Sequence, residues 1–232
     1  DWMRDEAQSR IGYLYPRAKT PGGMEYPVIA WLWARTVRSP NPANPIEVPL
    51  IRSWWLSKKK GSEAWIEARV VDGEVKYSVR HDPLGPTGEA DGTVGRKGGR
   101  ALGDGTPFSL QYIREEGRAG RIGQKMIAIV ADGPSGRLYL DPNEEHVRIA
   151  GVPRPADSPD GEIGYYPRDI KTQTYGMTTW SDLFTNRQLV ALTTMSTLVG
   201  EARERVLRDA LEAGMPRGER LESGGSGAEA YA

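Results

Sequence analysis

The sequence predicts an α+β protein. A β-rich middle region, laid out like a zinc ribbon without its metal, lies between an N-terminal helix and a long C-terminal amphipathic helix. Three observations support this fold class. Apolar residues recur at helical spacing at the start, short β-branched and aromatic runs alternate with glycine and proline turns in the middle, and a capping motif near residue 185 begins a long periodic segment. With 232 residues, the chain is long enough to bury a core.

The N-terminal helix is predicted over residues 1–14. Its apolar residues, from Trp2 to Leu14, lie near helical spacing, and Pro16 ends the run. The next segment, VIAWLWARTV at 28–37, alternates in part and is rich in β-branched and aromatic residues, which favours a strand.

The middle of the chain is predicted to consist of short strands. The clearest pair is 64–71 and 74–80, because Asp72 and Gly73 between them form a typical two-residue hairpin turn. The remaining predicted elements are strands at 48–56, 108–113, 126–131 and 137–140, glycine-rich loop or short edge structure at 82–106, and a short helix at 142–150.

The C-terminal helix carries the strongest local signal. Thr185 and Gln188 form a T-x-x-Q capping box, and the periodic segment after them ends near Ala213, with Gly214 as the C-cap. Its opposite face, from Glu201 to Glu212, is charged and is predicted to be solvated. The apolar stripe predicted to be buried consists of Leu189, Leu192, Ser196, Val199, Val206 and Ala210.

These elements divide the chain into five regions. The ends of the sequence suggest a segment of a longer protein, because the first residue already lies within a helical pattern and the last ones contain no stop signal. The regions are a lead-in helix and strand at 1–34, a β-rich region at 35–150, a linker at 151–176, the C-terminal helix at 177–214 and a tail at 215–232.

Composition limits the chemistry. The formal net charge is zero, but residues 1–125 carry an excess of about five positive charges and the remainder an equal negative excess, so a polyanion site is predicted in the first half. The absence of cysteine excludes disulfides and thiolate–zinc sites and fits a cytoplasmic protein. No apolar run approaches the roughly 20 residues of a membrane span, no signal peptide is present, and no membrane association is predicted.

Two turns resemble the metal-binding knuckles of a zinc ribbon. Each precedes a strand-like run, and in a ribbon such turns carry paired cysteines that hold the metal tetrahedrally. In this chain the corresponding positions are Ser39, Asn44, Ala101 and Asp104. Only Asp104 is a plausible ligand, so no bound zinc is predicted.

Basic residues beside an aromatic pair predict a nucleic-acid-binding surface, since cations neutralise phosphates and rings stack on bases or sugars. Two alternatives remain open: the three lysines could form a solvated turn, and GRAGRIG at 117–123 could be a helix entry or a tight packing point. The two tryptophans alternate along a strand, which predicts one in the core and one exposed. The predicted DNA contacts are Arg52, Trp54, Trp55, Lys58, Lys59, Lys60, Arg96, Lys97, Arg118 and Arg121, with Arg100 and Arg114 in the same clusters.

Catalytic motifs are not recognisable. There is no P-loop, nucleophile elbow or H-E-x-x-H sequence. His81 and His146 have no partner at metal-ligand spacing, and both are predicted to be surface residues.

The chain resembles the central region of bacterial adenine-specific DNA methylases that carry an internal zinc ribbon and an N-terminal domain of unknown function. In cysteine-bearing members, thiolates fall at the four turn positions given above, so this chain resembles the degenerate members. The segments that carry the resemblance are VIAWLWARTVRSPNPA (28–43), PLIRSWWLSKKKG (49–61), GTVGRKG (92–98), YIREEGRAGRIG (112–123), IAIVADGPSGRLYL (127–140) and YGMTTWSDLFTNRQLVALTTMSTLVGEAR (175–203).

The resemblance implies that this chain is a fragment of a site-specific DNA adenine-N6 methyltransferase. In that family the S-adenosylmethionine motif precedes this region and the catalytic D-P-P-Y tetrapeptide follows it. Neither is present here, since Asp82 and Asp141 begin tetrapeptides that share only D-P with it. The fragment is therefore expected to bind no cofactor and to be inactive alone, with double-stranded DNA and the remaining parts of the methylase as partners.

Three hypotheses for its role remain. The chain could be the DNA recognition and spacer segment of the enzyme, with S-adenosylmethionine bound by the full-length parent. It could be a structural or protein-interaction module without DNA contact. It could also be the remnant of a broken gene.

Overall fold

A computed structural model describes residues 1–86, 91–166 and 168–232. It is an α+β structure with a long C-terminal helix, as predicted, and the strands of the described residues all pair in antiparallel fashion. The chain forms two compact units. The helical unit comprises Asp1–Tyr15, Gly151–Pro159 and Phe184–Ala232, and the β unit comprises Pro16–Ala150 and Asp160–Leu183.

The strands and helices have the following bounds. The strands are β1 (Ala18–Lys19), β2 (Glu25–Tyr26), β3 (Val28–Arg38), β4 (Glu47–Pro49), β5 (Trp55–Ser57), β6 (Ala64–Val71), β7 (Glu74–Arg80), β8 (Gly98–Arg100), β9 (Pro107–Ser109), β10 (Gly123–Gly133) and β11 (Gly136–Leu140). The helices are α1 (Trp2–Ile11), α2 (Leu110–Arg118), α3 (Glu144–Ala150), α4 (Asn186–Glu212) and α5 (Ala228–Tyr231), with short 3-10 turns at Gly12–Leu14, Thr172–Tyr175, Trp180–Leu183 and Leu221–Ser223.

The β unit is built around a four-stranded sheet in the order β11-β10-β3-β4 and a three-stranded sheet in the order β5-β6-β7. One face of β3 and β10 packs with Ile66 and Val75 of the three-stranded sheet. The other face packs with β1 and α3, together with side chains of the neighbouring strand β11. Six consecutive residues of β10, 126–131, are buried because this strand is covered on both faces.

Several predicted elements are confirmed. The β6–β7 hairpin has the predicted bounds, and Asp72 and Gly73 adopt positive φ angles of 52° and 77°, as its two-residue turn requires. The strands predicted at 28–37, 126–131 and 137–140 and the short helix predicted at 142–150 are also present.

The single strand predicted at 48–56 is wrong. β4 ends at Pro49, β5 begins only at Trp55, and the residues between them leave both sheets. This connecting segment instead forms backbone hydrogen bonds with residues 91–94. The Thr93 N–H donates to the Ile51 carbonyl at 2.8 Å, and the Trp54 N–H donates to the Asp91 carbonyl at 2.8 Å.

The strand predicted at 108–113 is also wrong, because α2 begins at Leu110. Ser109 is its N-cap, and its Oγ accepts a hydrogen bond from the Tyr112 N–H at 3.1 Å. The apolar residues Leu110 and Ile113 have helical spacing as well as strand-like composition, so this short segment satisfied both patterns.

His146 is buried, which corrects its prediction as a surface residue. It is 3% exposed, and its Nδ1 accepts a hydrogen bond from Trp31 Nε1 at 2.8 Å. The indole N–H needs an acceptor in the core, and α3 supplies one. His81 is exposed, as predicted.

In the helical unit, α1 packs against α4. The Thr185 capping box is complete, and Gly214, with φ 83°, follows the C-cap residue Ala213. Buried Arg187 donates to the Leu14 carbonyl at 3.1 Å, and Arg10 pairs with Glu201 at 2.7 Å.

The buried stripe of α4 differs from the predicted one. Leu189, Leu198 and Ala210 are buried, whereas Leu192 and Val199 are 47% and 59% exposed. The buried side of the 27-residue helix α4 therefore does not coincide with the stripe that is most apolar in the sequence.

The region predicted as a linker contributes to both units. Residues 151–171 contain no helix or strand in their described part, but Ile163 is buried and Glu162 forms an isolated bridge with Thr179. Within the described residues, no helix is both long enough and apolar enough to cross a membrane.

Candidate nucleic-acid interface

A basic groove of about 600 Å³ lies in the β unit, between the segment 51–54 and the hairpin 91–100. Four cationic side chains line it against the single carboxylate of Asp91, which leaves an excess of three positive charges. The cations are Arg52, Arg96, Lys97 and Arg100, so the groove brings together three of the ten predicted DNA contacts and one further member of the predicted clusters.

Thr93 joins the two walls of the groove. Its buried Oγ1 accepts a hydrogen bond from the Ile51 N–H at 3.0 Å and donates to the Pro49 carbonyl. Because the hydroxyl is satisfied in both directions, it holds the chain on either side of Leu50, immediately before Arg52. Thr93 has no local sequence signature for this role, because its hydrogen-bond partners are more than 40 residues away in the chain.

Two glycines allow the walls to approach closely. A Cβ on Gly92 would come closer than 3.0 Å to the backbone of Ile51 and Arg52. A Cβ on Gly99 would also come closer than 3.0 Å to atoms of the Phe108 ring, so the Gly99 backbone covers this ring. Phe108 is 6% exposed, and it is the only aromatic residue among those that line the groove in the described chain.

The cations of the groove are not engaged by acids. In the described part of the chain, no carboxylate forms an ion pair with Arg52, Arg96 or Lys97. By contrast, Arg69 and Arg80 both bind Glu67, at 2.6 and 2.5 Å, and lower the pKa of its carboxyl group. Unpaired cations around a concave surface are available to an anionic ligand.

The tryptophan–lysine segment lies outside the groove. Trp54 is 8% exposed and belongs to the core, so it is not part of the predicted surface. Trp55 is half-buried; the Lys58 Nζ lies 5.5 Å from its ring centroid, and Gly85 also lies against the ring. Lys58, Lys59 and Lys60 are exposed at the β5–β6 turn.

The segment GRAGRIG is a packing point. A Cβ on Gly117 would come closer than 3.0 Å to the backbone of Tyr175, and one on Gly176 would meet the carbonyl of Gly117. Arg121 binds the buried Glu116 through two hydrogen bonds of 2.9 and 2.6 Å and lowers the pKa of its carboxyl group. This geometry favours the packing alternative for the segment.

Arg118 and Arg121 are both exposed, and only Arg121 is paired with an acid in the described part of the chain. The Arg118 side chain is exposed at the end of α2, and its Nε donates weakly to the Arg114 carbonyl at 3.4 Å. The structure does not bring Arg118 or Arg121 to the groove walls.

The two turns predicted as knuckles meet in the structure. Asn41 Nδ2 donates to Asp104 Oδ2 at 2.7 Å, and Asn44 Nδ2 donates to the Leu102 carbonyl at 3.1 Å. Hydrogen bonds from the Thr106 N–H and hydroxyl, followed by that from Asn41, hold the pKa of Asp104 well below its usual range.

These residues do not fit a zinc ion. Ala101 offers no donor atom and is buried, and Ser39 Oγ already accepts a hydrogen bond from the Asn41 N–H at 3.3 Å. Asn44 uses its amide on a carbonyl. Across residues 1–86, 91–166 and 168–232, no group of three or more His, Asp or Glu side chains could hold a metal ion.

Comparison with family models, curated proteins and solved structures found no match. The case for a function therefore depends on the groove, the surface lysines and the motifs of the sequence.

Proposed function

We propose that this chain is the DNA recognition and spacer segment of an S-adenosylmethionine-dependent DNA adenine-N6 methyltransferase. The motifs that resemble this family support the enzyme class. The unpaired cations around the groove support the contact with DNA, and they are the observation that carries the proposal.

In this proposal the chain itself performs no methyl transfer. The other parts of the enzyme supply the cofactor site and the D-P-P-Y loop, which stacks on the flipped adenine and accepts hydrogen bonds from its amino group. The groove and the lysine turn contact phosphates, which position the duplex without reading its sequence.

The proposal also covers the two turns that meet near Asp104. We take them as a ribbon-like framework in which hydrogen bonds replace the metal link. Asn41 and Thr106 converge on the Asp104 carboxylate, and the Asn44 amide reaches the opposite turn. Such a link holds the two turns together without a metal ion.

A salt titration of duplex binding tests the DNA contact. The affinity of the full chain for a duplex is measured by fluorescence anisotropy between 50 and 200 mM salt, since log K falls with log salt by about 0.9 for each phosphate contact. Replacing Arg52, Arg96 and Lys97 together by alanine is expected to reduce the slope by roughly 2.7, if each cation contacts one phosphate.

The matched control is Arg137→Ala, which removes an exposed cation on β11 away from the groove. Its salt slope is expected to equal that of the wild type. Absence of wild-type duplex binding at 50 mM salt would refute the DNA contact.

A second candidate function is a protein-interaction module. The observation that favours it is the exposed apolar face of α4, formed by Leu192, Met195 and Val199 at spacings of three and four residues. The two candidates are separated by mixing the chain with the segments of the parent enzyme that carry the cofactor motif and D-P-P-Y. Methyl transfer that needs this chain but is unaffected by the groove substitutions would favour the second candidate.

A further inference from the structure

We propose that the groove is a sugar–phosphate clamp, which grips the nucleic-acid backbone between two jaws and makes no contact with bases. Arg52 forms one jaw, and Arg96 and Lys97 form the other. Thr93 is the positioning residue that sets their separation. This inference rests on the proposed nucleic-acid function and specifies the chemistry of the same site.

Hydrogen bonds hold the backbone of both jaws in place. Arg52 follows the segment that is fixed by Thr93, and its neighbour Trp54 is anchored both in the core and to the Asp91 carbonyl. Arg96 and Lys97 occupy the tip of a tight turn that is closed by the Gly95 N–H donating to the Gly98 carbonyl at 2.8 Å. Both jaws thus present exposed cationic side chains from a backbone that is held by hydrogen bonds.

The size of the groove fits a piece of backbone. A volume of about 600 Å³ lies within the range of roughly 300–1,000 Å³ that is typical of small-ligand sites, so the groove admits a phosphate together with its adjoining sugars. A cationic guanidinium recognises a phosphate through charge-assisted hydrogen bonds that are shorter and stronger than neutral ones.

The lining of the groove disfavours bases. Stacking on single strands requires an accessible aromatic face. Gly99 covers the Phe108 ring, and Trp55 lies outside the groove with Lys58 above it. The groove therefore offers bases no stacking surface, and the proposed clamp uses its cations on the sugar–phosphate backbone.

An abasic deoxyribose-phosphate oligomer is the direct probe. The full chain is titrated with a fluorescent oligomer of this kind and with a single strand of the same length that carries bases. Arg52→Ala is expected to weaken binding of both by about tenfold or more, as loss of one charge-assisted hydrogen bond would. Loss of affinity for the base-bearing strand alone would overturn the clamp.

A groove-filling variant tests the cavity without changing charge. Gly95 has open space where a Cβ would be placed, and its φ is not in the left-handed region. Gly95→Leu is expected to weaken abasic-oligomer binding by about tenfold, whereas Gly200→Leu, at an equally open position on α4, is expected to leave it unchanged. Equal binding by Gly95→Leu and the wild type would exclude the groove as the site.

The role of Thr93 is tested by two substitutions. Thr93→Ser keeps the hydroxyl that bridges Pro49 and Ile51, and it should retain binding, whereas Thr93→Val removes it. Circular dichroism verifies the fold of each variant. A folded Thr93→Val protein with wild-type affinity and salt slope would contradict the positioning role, as would a loss of binding by Thr93→Ser that equals the loss by Arg52→Ala.

Different binding results would refute the clamp and the proposed DNA function. If the wild type binds duplex and the jaw and groove variants do so equally well, the clamp is wrong, and the DNA contact lies elsewhere, as at Lys58–Lys60. If the wild type binds the abasic oligomer through Arg52 but does not bind duplex, the clamp is supported and the proposed function is wrong. A separate arm with inorganic phosphate shows whether a free phosphate occupies the same jaws.

Discussion

Asn41 and Asp104 are hydrogen-bonded at 2.7 Å across 63 residues of sequence. The bond joins the turn that follows β3 to the turn between β8 and β9. Thr106 completes the environment of the same carboxylate with its N–H and its hydroxyl. These charge-assisted hydrogen bonds link two loops of the β unit through the carboxylate of Asp104.

Asp104→Asn is expected to lower the Tm of the protein at pH 7, because the amide weakens three hydrogen bonds to an ionised acceptor. The folded state lowers the pKa of Asp104, so its stabilisation is present above the unfolded value, near 3.8, and disappears as pH falls through the folded pKa. The Tm difference between the wild type and the variant should therefore be constant from pH 5 to 7 and should narrow below about pH 4. Differential scanning calorimetry measures it, and a difference that grows on acidification would contradict the assignment.

Gly117→Ala is expected to destabilise the β unit by about 1–3 kcal/mol, because its Cβ would strike the backbone of Tyr175. Urea denaturation followed by tryptophan fluorescence measures the change. Gly200→Ala is the matched control: that helical site has open space, so alanine there should be neutral or stabilising by up to ~1 kcal/mol. Equal stabilities of the two variants would show that the crossing at Gly117 is not close-packed.

Thr185→Ala is expected to cost about 1 kcal/mol of helix stability, since it removes the side-chain acceptor of the Gln188 N–H. Thr185→Ser preserves the capping oxygen and serves as the control. Thermal denaturation followed at 222 nm reports the difference, and the cap assignment fails if alanine and serine behave alike.

Replacing Lys58, Lys59 and Lys60 with alanine is expected to weaken duplex binding to the same extent for all sequences. The salt slope should fall by about 1 for each lysine that contacts a phosphate. All three side chains are exposed, so the fold should not change. An unchanged slope would show that the three lysines form a solvated turn without DNA contact.

Leu192→Ser and Val199→Ser are expected to change the free energy of unfolding by less than about 0.5 kcal/mol each, because both side chains are largely exposed. Leu189→Ser is the contrasting variant. Leu189 lies on the buried side of α4, so this change should strongly destabilise the protein. Comparable losses at Leu192 and Leu189 would place position 192 in a packed environment.

Local chemistry explains which elements the sequence could predict. The Asp72–Gly73 turn and the Thr185 capping box are complete within four residues, so their patterns were sufficient. The helix after Ser109 was missed because Leu110 and Ile113 suit both periodicities over so short a run. The break after Pro49 was missed because its cause, pairing with residues 91–94, is distant in sequence.

The candidate site was predictable in charge but not in arrangement. Composition places the excess cations in the first half of the chain, and local clusters of basic residues there predict Arg52, Arg96 and Lys97 as DNA contacts. Their convergence depends on Thr93 and on backbone approach at Gly92, and neither has a local signature. Trp54 is buried in the core, and Arg121 is paired with Glu116. Both outcomes depend on tertiary contacts, which a count of charges along the sequence does not reveal.

The walls of the groove come from segments about 40 residues apart, so the unfolded chain holds its cations at scattered positions and lacks the site. A polyanion that occupies the groove is then a ligand of the native state alone. It shifts the folding equilibrium by RT ln(1 + [L]/Kd), which is about 2.7 kcal/mol at a hundredfold excess over Kd. DNA would thus act on this segment as a thermodynamic stabiliser, and heparin or polyphosphate could do the same during purification.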